Sequence, residues 1–291
     1  MHYNADMTKS VRTGLLWLKG ITAVVFSLYL FFSFTEVLAL SQSEKATMPA
    51  VAITALEQII HLQDHNKTYE YVEIVDSCGP YFDGTCVNVR SGPGEEYPVV
   101  TTLRKGVVLR VEKKIQSGNR DWYKIVFDEW LRYPERVNGN WYIASDFVRA
   151  FSNEGIAELD NENNHGTTKR IIVDRSSQKL YAYDGDRLFM EETISTGIEL
   201  TPTPRGTFTI FKKTPSRYMQ GPLPGISSKY YDLPGVPWNL YFTHQGAVIH
   251  GAYWHDKFGE RWSSGCVNVD TKKAELLYHW ADIGTTVIVR D

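Results

Sequence analysis

Cys266 lies sixteen positions after His250 and stands in the run Ser264-Gly265-Cys266-Val267-Asn268. A thiol attacks as its thiolate, and with an ordinary pKa of about 8.5 it needs a neighbouring base near neutrality. His250 is the candidate for that base. A cysteine between glycine and a β-branched residue in a tight turn can present its sulfur openly while backbone N–H groups face a developing oxyanion, and Gly265 and Cys266 would supply those donors. An imidazole with a pKa near ambient pH can first take the thiol proton and then serve as acid or base in a later step. Zinc also accepts the side chains of His244, His250, His255 and Cys266. Histidine spacings of six and five fit no short ligand pair, however, and a bound zinc would quench the nucleophile, so no metal or cofactor is expected.

The compartment decides how the three cysteines read. Lys9, Arg12 and Lys19 precede an apolar run from Gly20 to Phe34, followed by Val37-Leu38-Ala39 with the small residues a signal peptidase favours. Counted from Gly14, with Lys19 reaching toward the headgroups, the run also suffices for an uncleaved anchor, so residues 1–40 are a signal peptide or a membrane anchor. Either way the basic end stays cytoplasmic, and everything after about residue 40 is extracytoplasmic, in the cell wall or on the outer face of the cytoplasmic membrane. In an oxidising space Cys78 and Cys86, eight apart around a turn-rich loop, are expected to form a disulfide. Closing so short a loop stabilises by only about 2 to 3 kcal/mol. Cys266 is then left free. The net charge of −3, with no basic block beyond the extreme N-terminus, excludes a nucleic-acid partner.

At 291 residues and 43% hydrophobic content the chain can form two domains, and strand signals predominate. Residues 41–70 read as a polar stalk. From 71 to 150, short runs such as Val87-Asn88-Val89-Arg90, Val107 to Val111, Trp122 to Val126 and Trp141-Tyr142-Ile143 alternate with turns, as in a small barrel. The phrase Val87 to Gly94, with Tyr97-Pro98, Lys105-Gly106 and the two Trp-Tyr pairs, resembles a bacterial Src-homology-3-type domain. That resemblance implies either a module that binds cell-wall peptides or a spacer, with the piece Asp128 to Asn140 as an insertion into its pattern. Residues 151–168 carry four acidic residues, no Lys or Arg and no hydrophobic period, which suggests a linker. Strand signals resume from 169 to 291, and one helix is predicted over Thr271 to Ala281 with Asp270 as N-cap.

Ile249-His250-Gly251, then Ser264-Gly265-Cys266-Val267-Asn268, preceded by Ser195-Thr196-Gly197 and Thr203-Pro204-Arg205-Gly206-Thr207-Phe208, closely resembles the L,D-transpeptidase catalytic domain family. The resemblance implies a mainly β, β-rich α+β fold: the Src-homology-3-like barrel followed by a β-sandwich with one or two helices. It also implies a cell-wall enzyme whose cysteine attacks a peptidoglycan stem tetrapeptide before its terminal D-alanine, forms a thioester and passes the acyl group to an amine. The carbonyl of Gly251 would orient the histidine, penicillins would be resisted, and carbapenems would acylate Cys266. Ser264 departs from the family's pattern, which most often has histidine there. The site then either lacks that group's electrostatic contribution or borrows it from His255.

Asn268 is read as bracing the loop or contacting substrate. Tyr241 is the aromatic expected to wall the cleft, and Arg205 either meets a substrate carboxylate or stabilises its turn. The stretch Lys212 to Val236, rich in Pro and Gly, lacks strand periodicity and reads as a lid or a rigid loop. Two rivals share the same residues: a carboxypeptidase or crosslink hydrolase in which water replaces the amine, and a non-catalytic peptidoglycan-binding protein.

Overall fold

The computed structural model describes residues 67–77, 86–127, 129–159, 167–225 and 228–291. The expected signal or anchor, nearly all of the stalk, and Cys78 lie outside the described residues. Cys86 is disulfide-bonded. No helix among the described residues is long and apolar enough to cross a membrane.

The first group of turn-separated runs becomes β1 (Tyr69–Ile74), β2 (Val87–Arg90), β3 (Val99–Leu103), β4 (Val108–Ser117), β5 (Arg120–Ile125), β6 (Trp141–Ala144) and β7 (Val148–Asn153). They form one antiparallel sheet in the order β3-β2-β6-β5-β4-β1-β7. Val72, Ile74, Val89, Leu109 and Ile143 close over one core. The expected small barrel is therefore a curled sheet whose ladder stays open, with β3 and β7 as its edges.

The chain continues through β8 (Ala157–Glu158), β9 (Lys169–Asp174), β10 (Lys179–Asp184), β11 (Arg187–Thr193), β12 (Gly206–Thr209), β13 (Lys212–Gly221), β14 (Tyr231–Tyr241), β15 (Val248–Gly251), β16 (Val267–Val269), α1 (Thr271–Trp280) and β17 (Thr286–Arg290). Two five-stranded sheets result, β11-β10-β9-β17-β12 and β16-β15-β14-β13-β8. Ile171, Leu180 and Val287 from one share a core with Leu240, Ile249 and Val267 from the other. Helix α1 adds Ala274, Leu277 and Tyr278 to that core. It begins where predicted, because the Asp270 carboxylate accepts the N–H groups of Lys272 (3.0 Å) and Lys273 (3.2 Å).

Two segments depart from their sequence reading. The acidic stretch 151–168 is strand over its first residues, where β7 ends, and again at β8, which pairs with Lys212 and Lys213 of β13. The expected lid, Lys212 to Val236, is largely a long antiparallel hairpin of β13 and β14. Its prolines hid it. Among the described residues nothing pairs with the outer side of β13 beyond Lys213, and β15 pairs β14 only at Leu240 and Tyr241, so Pro215, Pro234 and Pro237 interrupt no second ladder there.

This hairpin fastens the sandwich to the first sheet. Ser216 Oγ donates to the Val108 carbonyl (2.6 Å), and the Tyr218 ring packs against Phe127 and Trp141. The insertion 128–140 grips the same hairpin, with Tyr218 N–H donating to Glu129 (2.8 Å) and Tyr133 N–H donating to Gln220 (2.8 Å). On the helix side, the Glu73 carboxylate of β1, 2% exposed as a residue, accepts Arg149 Nε (3.0 Å) and Lys272 Nζ (2.5 Å). Glu73→Ala leaves Arg149 and Lys272, both about half exposed, with Glu275 as their remaining partner and with access to water. A loss of about 1 to 3 kcal/mol in urea unfolding is expected; a change under about 0.5 kcal/mol would show that this junction contributes nothing.

Candidate active site

The chemistry-bearing residues converge through one strand pair. β15 and β16 run parallel with Ile249 opposite Val267, His250 opposite Asn268 and Gly251 opposite Val269. Residues opposite one another share a face of the sheet, so His250 and Asn268 lie side by side and Cys266 enters two residues earlier. The other edge of β16 is held by Ser195, which exchanges both backbone hydrogen bonds with Asn268 (2.9 and 2.8 Å). Thr196 accepts the N–H groups of Trp262 and Ser263. The Ser195-Thr196-Gly197 segment thus serves as the frame of the cysteine turn.

Within that turn, the Cys266 carbonyl accepts hydrogen bonds from Ser263 Oγ (2.6 Å) and Thr203 Oγ1 (3.3 Å). Gly265 takes φ +111°, a left-handed conformation that suits glycine. Its N–H, expected to face an oxyanion, donates instead to Ser263 Oγ (3.2 Å). Ser264 is exposed beside it.

His250 is 1% exposed. Its Nδ1 lies 3.1 Å from the Gly251 carbonyl, which can only accept, so Nδ1 carries the proton and Nε2 presents its lone pair. Nε2 is buried with no hydrogen-bond partner among the described residues. Gly251 has to be glycine here, since a Cβ would stand 2.8 Å from Pro237 Cγ and 3.2 Å from the Thr271 backbone of α1. Burial lowers the His250 pKa to about 4, against the opposing Gly251 contact, with the charge of Arg217 lowering it further. Cys266 keeps part of its surface exposed, yet its dense surroundings raise the thiol pKa, opposed by Arg217 and by a backbone hydrogen bond from Val248. The sulfur lies 3.7 Å from the Gly246 carbonyl. Both shifts favour neutral forms, so the resting groups are thiol and imidazole, and proton transfer has to accompany attack.

Residues 168–289 match the L,D-transpeptidase catalytic domain, and residues 85–148 match the bacterial SH3 domain. Residues 168–289 are an L,D-transpeptidase catalytic domain. The YkuD protein of Bacillus licheniformis, which carries an L,D-transpeptidase designation, is 28% identical over 123 residues, or 41% of this chain and 64% of that protein's length. Among solved structures, an L,D-transpeptidase from Mycobacterium smegmatis is 20% identical with a TM-score of 0.41, covering 60% of this chain and 91% of its own. A cysteine-to-serine mutant of the Enterococcus faecium L,D-transpeptidase is 26% identical with a TM-score of 0.39, covering 42% and 50%.

Other expected site residues of the transpeptidase domain sit differently. His255 is 2% exposed, and burial lowers its pKa to about 4, so it is neutral and has no charge to lend the site in place of the missing histidine at Ser264. Its Nδ1 accepts the Lys257 N–H (3.1 Å), which puts the ring proton on Nε2, 2.7 Å from the Asn268 side-chain amide. A protonated Nε2 needs an acceptor, so the Asn268 oxygen belongs on that side and its NH2 faces the buried position that has no partner. His255 and Asn268 are therefore a brace beneath the turn. Arg205 pairs with Asp291, so a carboxylate of the chain itself engages its charge. Tyr241 is half-buried, with Lys212 (5.9 Å) and Arg217 (5.4 Å) over its ring. Among the described residues no group of three or more His, Cys, Asp or Glu side chains gathers to hold a metal. Arg217, whose charge reaches both His250 and Cys266, was missed at the sequence level because the hairpin that carries it was not legible as strand.

Two buried neutral histidines make the domain acid-sensitive. Their folded pKa of about 4 lies below the ordinary 6.5, so the unfolded chain binds more protons between those values. Stability should be fully present above about pH 6.5 and fall as pH drops toward 4, by roughly 3 kcal/mol for each histidine. Urea midpoints measured from pH 7.5 to 4 check this, and His255→Gln should flatten the slope; a pH-independent midpoint would rule it out.

Proposed function

We propose that the protein is a cell-wall L,D-transpeptidase with Cys266 as nucleophile and His250 as general base and acid. The observation that carries this reading is the buried His250 ring, with its proton held on Nδ1 by Gly251 and a bare Nε2, on the strand paired with the one that Cys266 enters. As Cys266 Sγ attacks the carbonyl before the terminal D-alanine of a stem tetrapeptide, its proton passes to Nε2. That proton then goes to the departing D-alanine amine, leaving a thioester on Sγ. In the second half-reaction an acceptor amine gives a proton to Nε2 and attacks the thioester, and Sγ leaves and recovers the proton. The oxyanion is served by the Cys266 N–H, joined by the Gly265 N–H when it exchanges Ser263 Oγ for the substrate. Gly251 orients, Ser264 borders the oxyanion turn, and Asn268 and His255 brace it.

The partners under this reading are peptidoglycan stem peptides, and the membrane through the N-terminal segment. The enzyme works outside the cytoplasm, in the wall or on the outer face of the cytoplasmic membrane. Mass spectrometry after incubation with disaccharide-tetrapeptide tests it. Crosslinked dimers are expected; bare tripeptide would identify a hydrolase, and unchanged substrate with an unmodified thiol would sink both. Cys266→Ala should abolish product, and His250→Ala should lower kcat by about 10² to 10⁴-fold. A carbapenem should leave a mass adduct on Cys266 and none on Cys266→Ala.

A further inference from the structure

Arg217 is a half-buried cation with no salt bridge among the described residues. Its neighbours in β13 point to the first sheet: Ser216 donates to Val108, and Tyr218 packs on Phe127 and Trp141. The Arg217 guanidinium nevertheless lies 5.4 Å from the centre of the Tyr241 ring, on the strand that pairs with β15, and its charge acts on both Cys266 and His250. Glu129 also senses Arg217, but one of its oxygens accepts the Tyr218 N–H, and burial raises its pKa to about 7, so near neutrality it is only partly charged. The Tyr231 hydroxyl senses both Cys266 and Arg217, which adds a polar group to the same surroundings. An unpaired guanidinium held on an aromatic face is suited to receive a carboxylate through two parallel hydrogen bonds.

We propose that Arg217 is the receptor for the terminal carboxylate of the acyl-donor peptide. This rests on the transpeptidase reading above. Cleavage before the last residue of a peptide places that residue's carboxylate three bonds beyond the scissile carbonyl, within reach of a cation whose field covers nucleophile and base. The site then selects donors that end one residue past the bond attacked.

Binding to the full chain carrying Cys266→Ala tests this without turnover. Calorimetry compares a stem tetrapeptide bearing a free C-terminal carboxylate with its C-terminal amide. With Arg217 present, the acid should bind about tenfold or more tighter than the amide. Adding Arg217→Gln should bring the two affinities together, and Arg217→Lys should keep part of the preference. Equal binding of acid and amide with Arg217 intact overturns the assignment, as does an undiminished preference in Arg217→Gln or no binding of either peptide. The two readings fail separately. Crosslinking of acid and amide donors alike by the unaltered chain leaves the transpeptidase standing and removes this role for Arg217; a clear acid preference with no product does the reverse.

Discussion

The parallel pairing of β15 with β16 is the constraint on which the site depends. A one-residue slip would turn either His250 or Asn268 to the opposite face and separate the base from the turn that carries the thiol. The register is held from both sides. Pro237 of β14, backed by helix α1, crowds β15 so closely that glycine is required at position 251, and the Ser195 backbone clips the outer edge of β16 through Asn268. The carbonyl of that same close-packed glycine accepts a hydrogen bond from the protonated Nδ1 of His250. Packing and chemistry thus converge on one residue, and the site needs no carboxylate to set the tautomer.

Burial has opposite consequences on the two sides of the proposed reaction. It keeps His250 neutral, which a base requires, and it keeps Cys266 protonated, which a nucleophile does not. Arg217 lowers the pKa of both groups, favouring the thiolate and opposing the imidazolium. The protein is therefore poised for proton transfer during attack and holds no standing ion pair. His255 and Asn268 are the second buried layer. They use their hydrogen bonds on each other and on the backbone, which explains why a histidine that could be charged acts here as a neutral brace.

The long hairpin ties the SH3 region into the same body as the sandwich. Its outer half contributes Tyr218 and Val236 to the core of the first sheet, while Leu240 belongs to the core of the sandwich. Glu73 repeats the connection at α1. A strand pair shared by two cores cannot swing as a free loop would, so Arg217 and Tyr241 are held in a fixed relation to each other.

Much of the site was legible because its signals are local. The thiol without a partner, the His250 to Cys266 spacing, the capped helix and the order of Ser195-Thr196-Gly197, Thr203 to Phe208 and the cysteine turn all stand in the chain itself, and alternating apolar residues announce most strands. The hairpin was not legible because proline and glycine mark turns in a local reading, and only the absence of a second neighbouring ladder makes Pro215, Pro234 and Pro237 acceptable in strands. The state of His255, the pairing of Arg205 with Asp291 and the isolation of Arg217 were equally hidden. Charge and hydrogen-bond partners are properties of what surrounds a group, and residues distant in sequence supply those surroundings. The amino-acid order by itself determined which groups can react and which family's pattern they follow. Tertiary structure alone decided which of them are neutral, which are spent on the protein's own carboxylates and carbonyls, and which cation has no salt bridge among the described residues, because desolvation and pairing exist only once the sheets have closed over one another.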